Sequence, residues 1–302
     1  MRFLLLAALS ITIAACSREV DASKLVERQG VYGVYYEVNS TTPFSGTMVS
    51  YHDNGQLEEK AQLRDGLRHG KSSRFFSNGQ LQGVAEFEAN KIVGVAEIYH
   101  ENGQLARRAN YADGQYDGLF ESYYADGQSK ETGTYAQGKK EGEWVRFSSD
   151  GSIEEWSNWE NGTWHGVSLY VDTALDMEVA ITRHERGVEQ GEWLTYWIHE
   201  YPSYQLKRRT EYVSGQRNGH ELQWKYDSGD LRRITAYKDD LEHGCSLNTR
   251  PSGPNYRLYN MGERTGQDCT ISAEELAAFP ASSSFPDPSS FLPEELRQYA
   301  TW

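Results

Sequence analysis

Positive charge is scarce in this chain. Thirty Lys and Arg residues stand against 44 Asp and Glu, giving a formal net charge of −14 at pH 7. Loss of the first fifteen residues, which contain Arg2, would make it −14 − 1 = −15. Such a chain is not expected to bind nucleic acid, and adhesion of its surface to anionic lipid is opposed by the same repulsion. A basic protein or cationic surface suits it better, although acidity also serves solubility alone. Catalytic signatures are missing too: no Gly-x-Ser-x-Gly elbow, phosphate-binding loop, His-Glu-x-x-His or Cys-x-x-Cys occurs. No enzymatic activity, cofactor or metal is therefore expected. Cysteine is limited to Cys16, Cys245 and Cys269.

What is abundant is glycine, and it is periodic. Gly46, Gly70, Gly94, Gly118, Gly142 and Gly166 lie 24 residues apart, with Gly55, Gly79, Gly103, Gly127 and Gly151 in phase. A third series, Gly66, Gly114, Gly138 and Gly162, keeps the period with Asn90 substituting once. Three positions per repeat thus call for a residue that tolerates positive φ. Five residues after the opening glycine come Tyr51, Phe75, Tyr99, Tyr123 and Phe147, and eleven after it Leu57, Leu81, Leu105, Ser129 and Ile153. Seventeen after it come Leu63, Phe87, Tyr111, Tyr135 and Trp159. These odd offsets are the period-2 signature of strands with one buried face. Asp53-Asn54-Gly55 and its equivalents suit three-residue hairpin loops, placing Tyr51 opposite Leu57, Phe75 opposite Leu81 and Tyr99 opposite Leu105. Gly66 to Gly70 is expected to form the turn into the next hairpin.

These residues, with Val31-Tyr32-Gly33-Val34-Tyr35-Tyr36 and Pro43-Phe44-Ser45-Gly46, resemble the MORN (membrane occupation and recognition nexus) repeat in its longer bacterial variant, typified by YwqK-like antitoxin proteins. The resemblance covers about 31 to 245 and implies an all-β, elongated single-sheet β-hairpin repeat of about eight units, the last three degenerate. It implies a scaffold rather than an activity. Beyond Gly166, the opening positions Gly191, Gly219 and Gly244 follow at 25, 28 and 25 residues, with insertions within Val171 to Arg183 and Ile198 to Lys207.

At the start, Arg2, the apolar run Phe3 to Leu9 and Ile13-Ala14-Ala15-Cys16 resemble a bacterial lipoprotein signal. Cleavage would leave Cys16 acylated, and Ser17 implies transfer to an outer membrane, facing the periplasm, if the cell has one. An ordinary secretory signal with a chance cysteine, or an uncleaved anchor too short to span, is the alternative. The expected organisation is signal 1–15, linker 16–30, repeats 31–245 and an irregular, partly helical cap 246–302. In an exported chain the even pair Cys245 and Cys269 suggests a disulfide; two free thiols are the alternative. Ser272 with Glu275 fits a capping box, and the Pro- and Ser-rich tail is expected to cap the open final strand.

His69, His165 and His243 each precede an opening glycine, while His52 and His100 share one slot. The repeat explains them better than a site does. Phe120, Trp144 and Trp193, two residues after an opening glycine, and Tyr124 and Trp197, at offset six, fall at even offsets. If odd offsets face inward, these rings form an outward stripe, and aromatic enrichment marks binding hot spots. Coverage of both faces by the sheet's curl or the tail is the competing expectation. The functional expectation is a non-enzymatic, membrane-anchored scaffold binding a protein of the cell envelope. Immunity against a toxin reaching the periplasm and a structural envelope spacer are the alternatives.

Overall fold

The computed structural model describes residues 18–28, 31–172, 178–198, 204–279, 281 and 285–300. The signal segment with Cys16 lies outside the described residues, as do the centres of both insertions, 173–177 and 199–203. The chain divides into two compact bodies, Met1–Gly103 and Gln104–Trp302. Each is built from β-hairpins, and the chain ends in short helical turns.

The hairpin follows from its loop chemistry. Gly46–Tyr51 pairs antiparallel with Leu57–Arg64, Tyr51 opposite Leu57. His52 N–H donates to Gln56 O and Gly55 N–H to His52 O, both at 2.8 Å. Gly55 has φ 81°, the left-handed position that a side chain would strain. The design recurs with Phe75 opposite Leu81, Tyr123 opposite Ser129 and Phe147 opposite Ile153. Tyr99 and Leu105 belong to different bodies.

The connection from Gly66 to Gly70 departs from expectation. Asp65 and Gly66, at φ 49° and 79°, form a two-residue turn between the paired Arg64 and Leu67, the geometry that matches strand twist. Gly70 lies inside the following strand, Leu67–Phe75, near the slip in pairing between Ala61 and Leu63. A fourth position per repeat therefore has positive φ, held by Asp65, Ala89, Asp113, Gln137 and Asn161.

A second bulge overturns the inference that all odd offsets share one face. Ser50 pairs with Glu59 but Tyr51 with Leu57, which leaves Glu58 as an extra residue. The same slip leaves out Gln82, Lys130, Glu154, Lys207 and Arg232. One added residue inverts the alternation of the returning strand. Offset seventeen thus shares a face with offset two: Gly142 pairs with Trp159 and Trp144 with Ser157. Offsets three and five occupy the other face.

In the C-terminal body this second face is a leucine face, where Val145, Leu169, Leu194, Leu222 and Leu247 bury with Phe147, Tyr196 and Trp224. The tail covers it. Leu292 and Ala300 are buried in the same cluster, flanked by Ile271, Leu276, Phe279, Phe285, Phe291 and Leu296. Phe147 meets Tyr299 at 5.3 Å, Trp224 meets Phe285 at 5.8 Å, and Tyr196 Oη donates to Pro286 O at 3.0 Å. The tail therefore lies across a sheet face rather than over the last strand, because that face carries the apolar area needing cover. Its helix Ala273–Ala277 has the expected capping box, Ser272 with Glu275.

Two expected boundaries shift. In the supposed linker 16–30, Glu19–Asp21 pairs in parallel with Thr47 to Val49, and Leu25–Arg28 pairs with Val31–Glu37. Val20, Leu25 and Phe44 pack on Met48, Ala61 and Leu63, covering an otherwise open edge. At the other end, position 245 falls inside the strand Gly244–Arg250, and pairing continues through Gly253–Asn260 to Glu263–Arg264. Cys245 and Cys269 are joined, with Cα atoms 5.9 Å apart.

Candidate functional site

The other face of the C-terminal body carries a row of rings. Tyr111 and Tyr116 lie 4.7 Å apart, Tyr116 and Tyr135 4.9 Å, and Tyr135 and Trp144 4.8 Å between centroids. Phe120 wedges against Trp144 at 5.5 Å. Lys140 sits 3.9 Å from the centre of Trp144 and 5.1 Å from that of Trp159, a cation–π bridge. The row continues through Trp164, His184, Trp193 and Tyr212 at 5.8, 4.9, 5.4 and 4.6 Å. Arg217 lies over Tyr237 at 4.1 Å.

Residues expected to form an outward stripe divide into four settings. Trp144 is only 2% exposed and Phe120 is also buried. Trp144 covers Gly133, where a Cβ would come within 2.2 Å of the indole, and donates from Nε1 to Thr134 O at 3.1 Å. Both are corrected from surface to interior: the bulge brings offset-seventeen rings onto their face and covers them. Tyr124 ties neighbouring hairpins together, its Oη donating to Phe147 O at 2.8 Å, as His52 Nε2 does against Phe75 O at 2.9 Å. Trp193 is half-buried within the row and donates to Arg183 O at 3.2 Å. Trp197 stands apart, edge-on to Tyr226 at 5.4 Å.

The sequence reading missed Tyr135, Trp159, Trp164 and Tyr212 as members of this face. The signal was the register slip at Glu154 and its equivalents, which composition does not mark. Two exposed rings extend the face: Trp164, paired with Trp159, is 37% exposed, and Tyr170, paired with Glu155, is 48% exposed.

The electrostatics favour neutral rings. Burial pushes the Tyr111, Tyr135, Tyr212 and Tyr237 hydroxyls upward, with Tyr116 hydrogen bonding adding to the shift at Tyr111. Burial pushes His184 downward against the opposing pull of Glu189, and its Nδ1 has no hydrogen-bond partner among the described residues. Among the described residues no group of three or more His, Cys, Asp and Glu converges to hold a metal. The arrangement offers large, partly wet aromatic area, which suits binding.

Residues 45–65, 68–89, 92–113 and 116–137 match the family model of a MORN repeat variant. Those four stretches are thus MORN-type repeats. No curated protein matches it. Among solved structures, the crystal structure of TcdB2-TccC3 aligns at 10% identity with a TM-score of 0.18, covering 80% of this chain and 17% of that one. The chain spans less than a fifth of that protein's chain, and so loose a superposition carries no argument.

Proposed function

We propose that this protein is a non-catalytic scaffold that binds a protein partner in the cell envelope through its aromatic face, held at the membrane by a lipid on Cys16. The observation that carries this reading is the unequal treatment of the two faces. The leucine face is sealed by the chain's own tail, whereas the aromatic face leaves Trp164 and Tyr170 substantially exposed. Partly exposed aromatic rows backed by packed rings are the usual anchors of protein interfaces.

The anchoring part rests on Ile13 to Cys16, with Ser17 favouring an outer membrane facing the periplasm. Crosslinking in intact cells, followed by capture and mass spectrometry, tests the partner. Joint replacement of Trp164 and Tyr170 with Ala should weaken capture by roughly 2 kcal/mol or more; capture at full strength would sink the interface. Capture of a toxin would narrow the role to immunity. Cys16→Ala should move the protein from the membrane fraction to the soluble fraction, and unchanged membrane association would refute acylation.

A further inference from the structure

The aromatic face changes charge along the chain. In three of the earlier repeats the residue thirteen after the opening glycine, on the returning strand, is a carboxylate, while Gly83 and Arg107 hold that place in two others. Glu59 pairs with Ser50 and Arg74, Glu131 with Ser122 and Arg146, and Glu155 with Arg146 and Tyr170. These acids are neutralised within the sheet: Arg68 meets Glu59 at 2.6 Å, Lys140 meets Glu131 at 2.9 Å and Arg146 meets Glu155 at 2.8 Å. In later repeats the corresponding place, opposite the fourth residue after the opening glycine, belongs to Arg208, opposite Thr195 and Gln223, and to Arg233, opposite Gln223 and Asn248. Asn248 in turn pairs with Asn255.

Directly paired residues of antiparallel strands share a face. Thr195, Arg208, Gln223, Arg233, Asn248 and Asn255 therefore form one row across six strands, stepping about 4.8 Å each time, and that row contains no carboxylate. Two clefts open along it. One of about 110 Å³ is lined by Arg233, Ser246, Asn248, Asn255 and Arg257. The other, about 130 Å³, is lined by Trp197, Lys207, Arg208, Gln223 and Arg232.

The polar groups of these clefts are under-used. Arg208, Arg232 and Arg257 pair with no carboxylate among the described residues, Arg257 only donating from Nε to Asn255 Oδ1 at 3.2 Å. Ser246, over nine-tenths buried, has a hydroxyl with no hydrogen-bond partner among the described residues. Two nearby acids are already neutralised, Glu242 by Arg233 at 3.3 Å and Glu178 by Lys207, while Glu221 is held by Gln223 at 2.8 Å and Thr210 at 3.4 Å, neutral groups that leave its charge in place. In a chain of net charge −14, three unneutralised guanidinium groups on one stretch of sheet form a local inversion of sign.

We infer that this row is a docking track for an acidic, extended segment of a protein partner, whose carboxylates enter the two clefts. Guanidinium forks match carboxylates in two parallel hydrogen bonds. Interleaved Gln223, Asn248 and Asn255 both donate and accept, as peptide groups require, whereas ionised phosphoryl oxygens only accept. Five strand steps span about 24 Å, the reach of roughly seven or eight extended residues. The inference rests on the scaffold reading and names the chemistry of the partner.

Fluorescein-labelled octaglutamate, titrated into the full-length protein at low salt, is the direct probe, with octaglutamine as the uncharged control. The expected result is binding of octaglutamate alone, weakened by added salt and reduced at least roughly tenfold in a variant carrying Arg208→Gln, Arg233→Gln and Arg257→Gln. Equal binding of both peptides, full affinity in that variant, or displacement by inorganic phosphate at an equal concentration of anionic groups would overturn the inference. If the triple variant misfolds, Arg208→Gln with Arg257→Gln, which breaks no ion pair, decides the matter by the same criteria. Cellular capture separates the two readings. A partner retained equally by wild type and variant refutes the track and keeps the scaffold; octaglutamate binding without any captured protein keeps the track and refutes the scaffold.

Discussion

Replacing Trp144 with Ala should destabilise the C-terminal body by about 3–5 kcal/mol, the usual cost of emptying a large aromatic from a packed site. The site is specific enough for a sharper test. The indole lies across Gly133, and a Cβ built there would stand 2.2 Å from the ring. Gly133 has no positive φ, so collision is the chief objection to a side chain. Gly133→Ala alone should therefore cost roughly 1–3 kcal/mol by overpacking. In the Trp144→Ala background the same change should be neutral or stabilising by about 0.5–1 kcal/mol, since Ala outperforms Gly in a strand and partly fills the cavity. Urea unfolding of all four proteins, followed by far-UV circular dichroism, yields the coupling energy. Coupling of about 1.5 kcal/mol or more is expected for a pair sharing one contact. Additive effects within about 0.3–0.5 kcal/mol would show that the ring does not rest on Gly133, and the assignment of offset two to the aromatic interior would fall with it.

Leu292→Ala should cost about 2–5 kcal/mol and raise binding of a hydrophobic dye, because Leu292 is the tail residue buried against the leucine face; an unchanged melting profile would mean that the tail does not cover that face. Reduction of Cys245–Cys269, which closes a separation of 24 residues, should lower stability by roughly 3 kcal/mol, read as a lower urea midpoint in reductant. His184 has its pKa lowered by burial, so the unfolded chain binds its proton first as pH falls. Stability should decline on acidification through the ordinary histidine value near 6.5, and His184→Phe should flatten that part of the profile. At Glu59 burial pushes the carboxyl up, but hydrogen bonds and charge from Arg68 and Arg74 pull it lower overall. Its contribution is present above the unfolded carboxylate value and lost as pH falls below it; Glu59→Gln should reduce the acid-limb slope of the N-terminal body.

The hairpins were legible because their loops are chemically loud. Asp53-Asn54-Gly55 demands a tight loop, and Tyr51 against Leu57 follows from counting outward. The bulge was silent. Glu58, Gln82, Lys130 and Glu154 share only polarity, and nothing in a polar residue announces that it stands outside the pairing. That single silent residue inverted the predicted side of Trp144 and Phe120 while leaving their grouping correct. Tail coverage was encoded, though in a position not compared along the chain. Three residues after the opening glycine, Ser73, Glu97 and Glu121 give way to Val145, Leu169, Leu194, Leu222 and Leu247, marking where a wet face becomes a covered one. The basic row was hidden by the same bulge, since Arg208 and Arg233 join the face of Asn248 only once the slipped register is known.

The cover over the leucine face follows, in chain order, every strand that it protects. During synthesis Leu169, Leu206 and Leu222 leave the ribosome well before Leu292 does, and the sheet beneath stays bare until residues 271–300 have been made. A polypeptide interrupted before Ile271 would keep a broad apolar surface, the feature that quality-control proteases and chaperones recognise and that promotes aggregation. Burial of this face therefore waits on the last segment to be made, and only a molecule translated through it covers its leucine face.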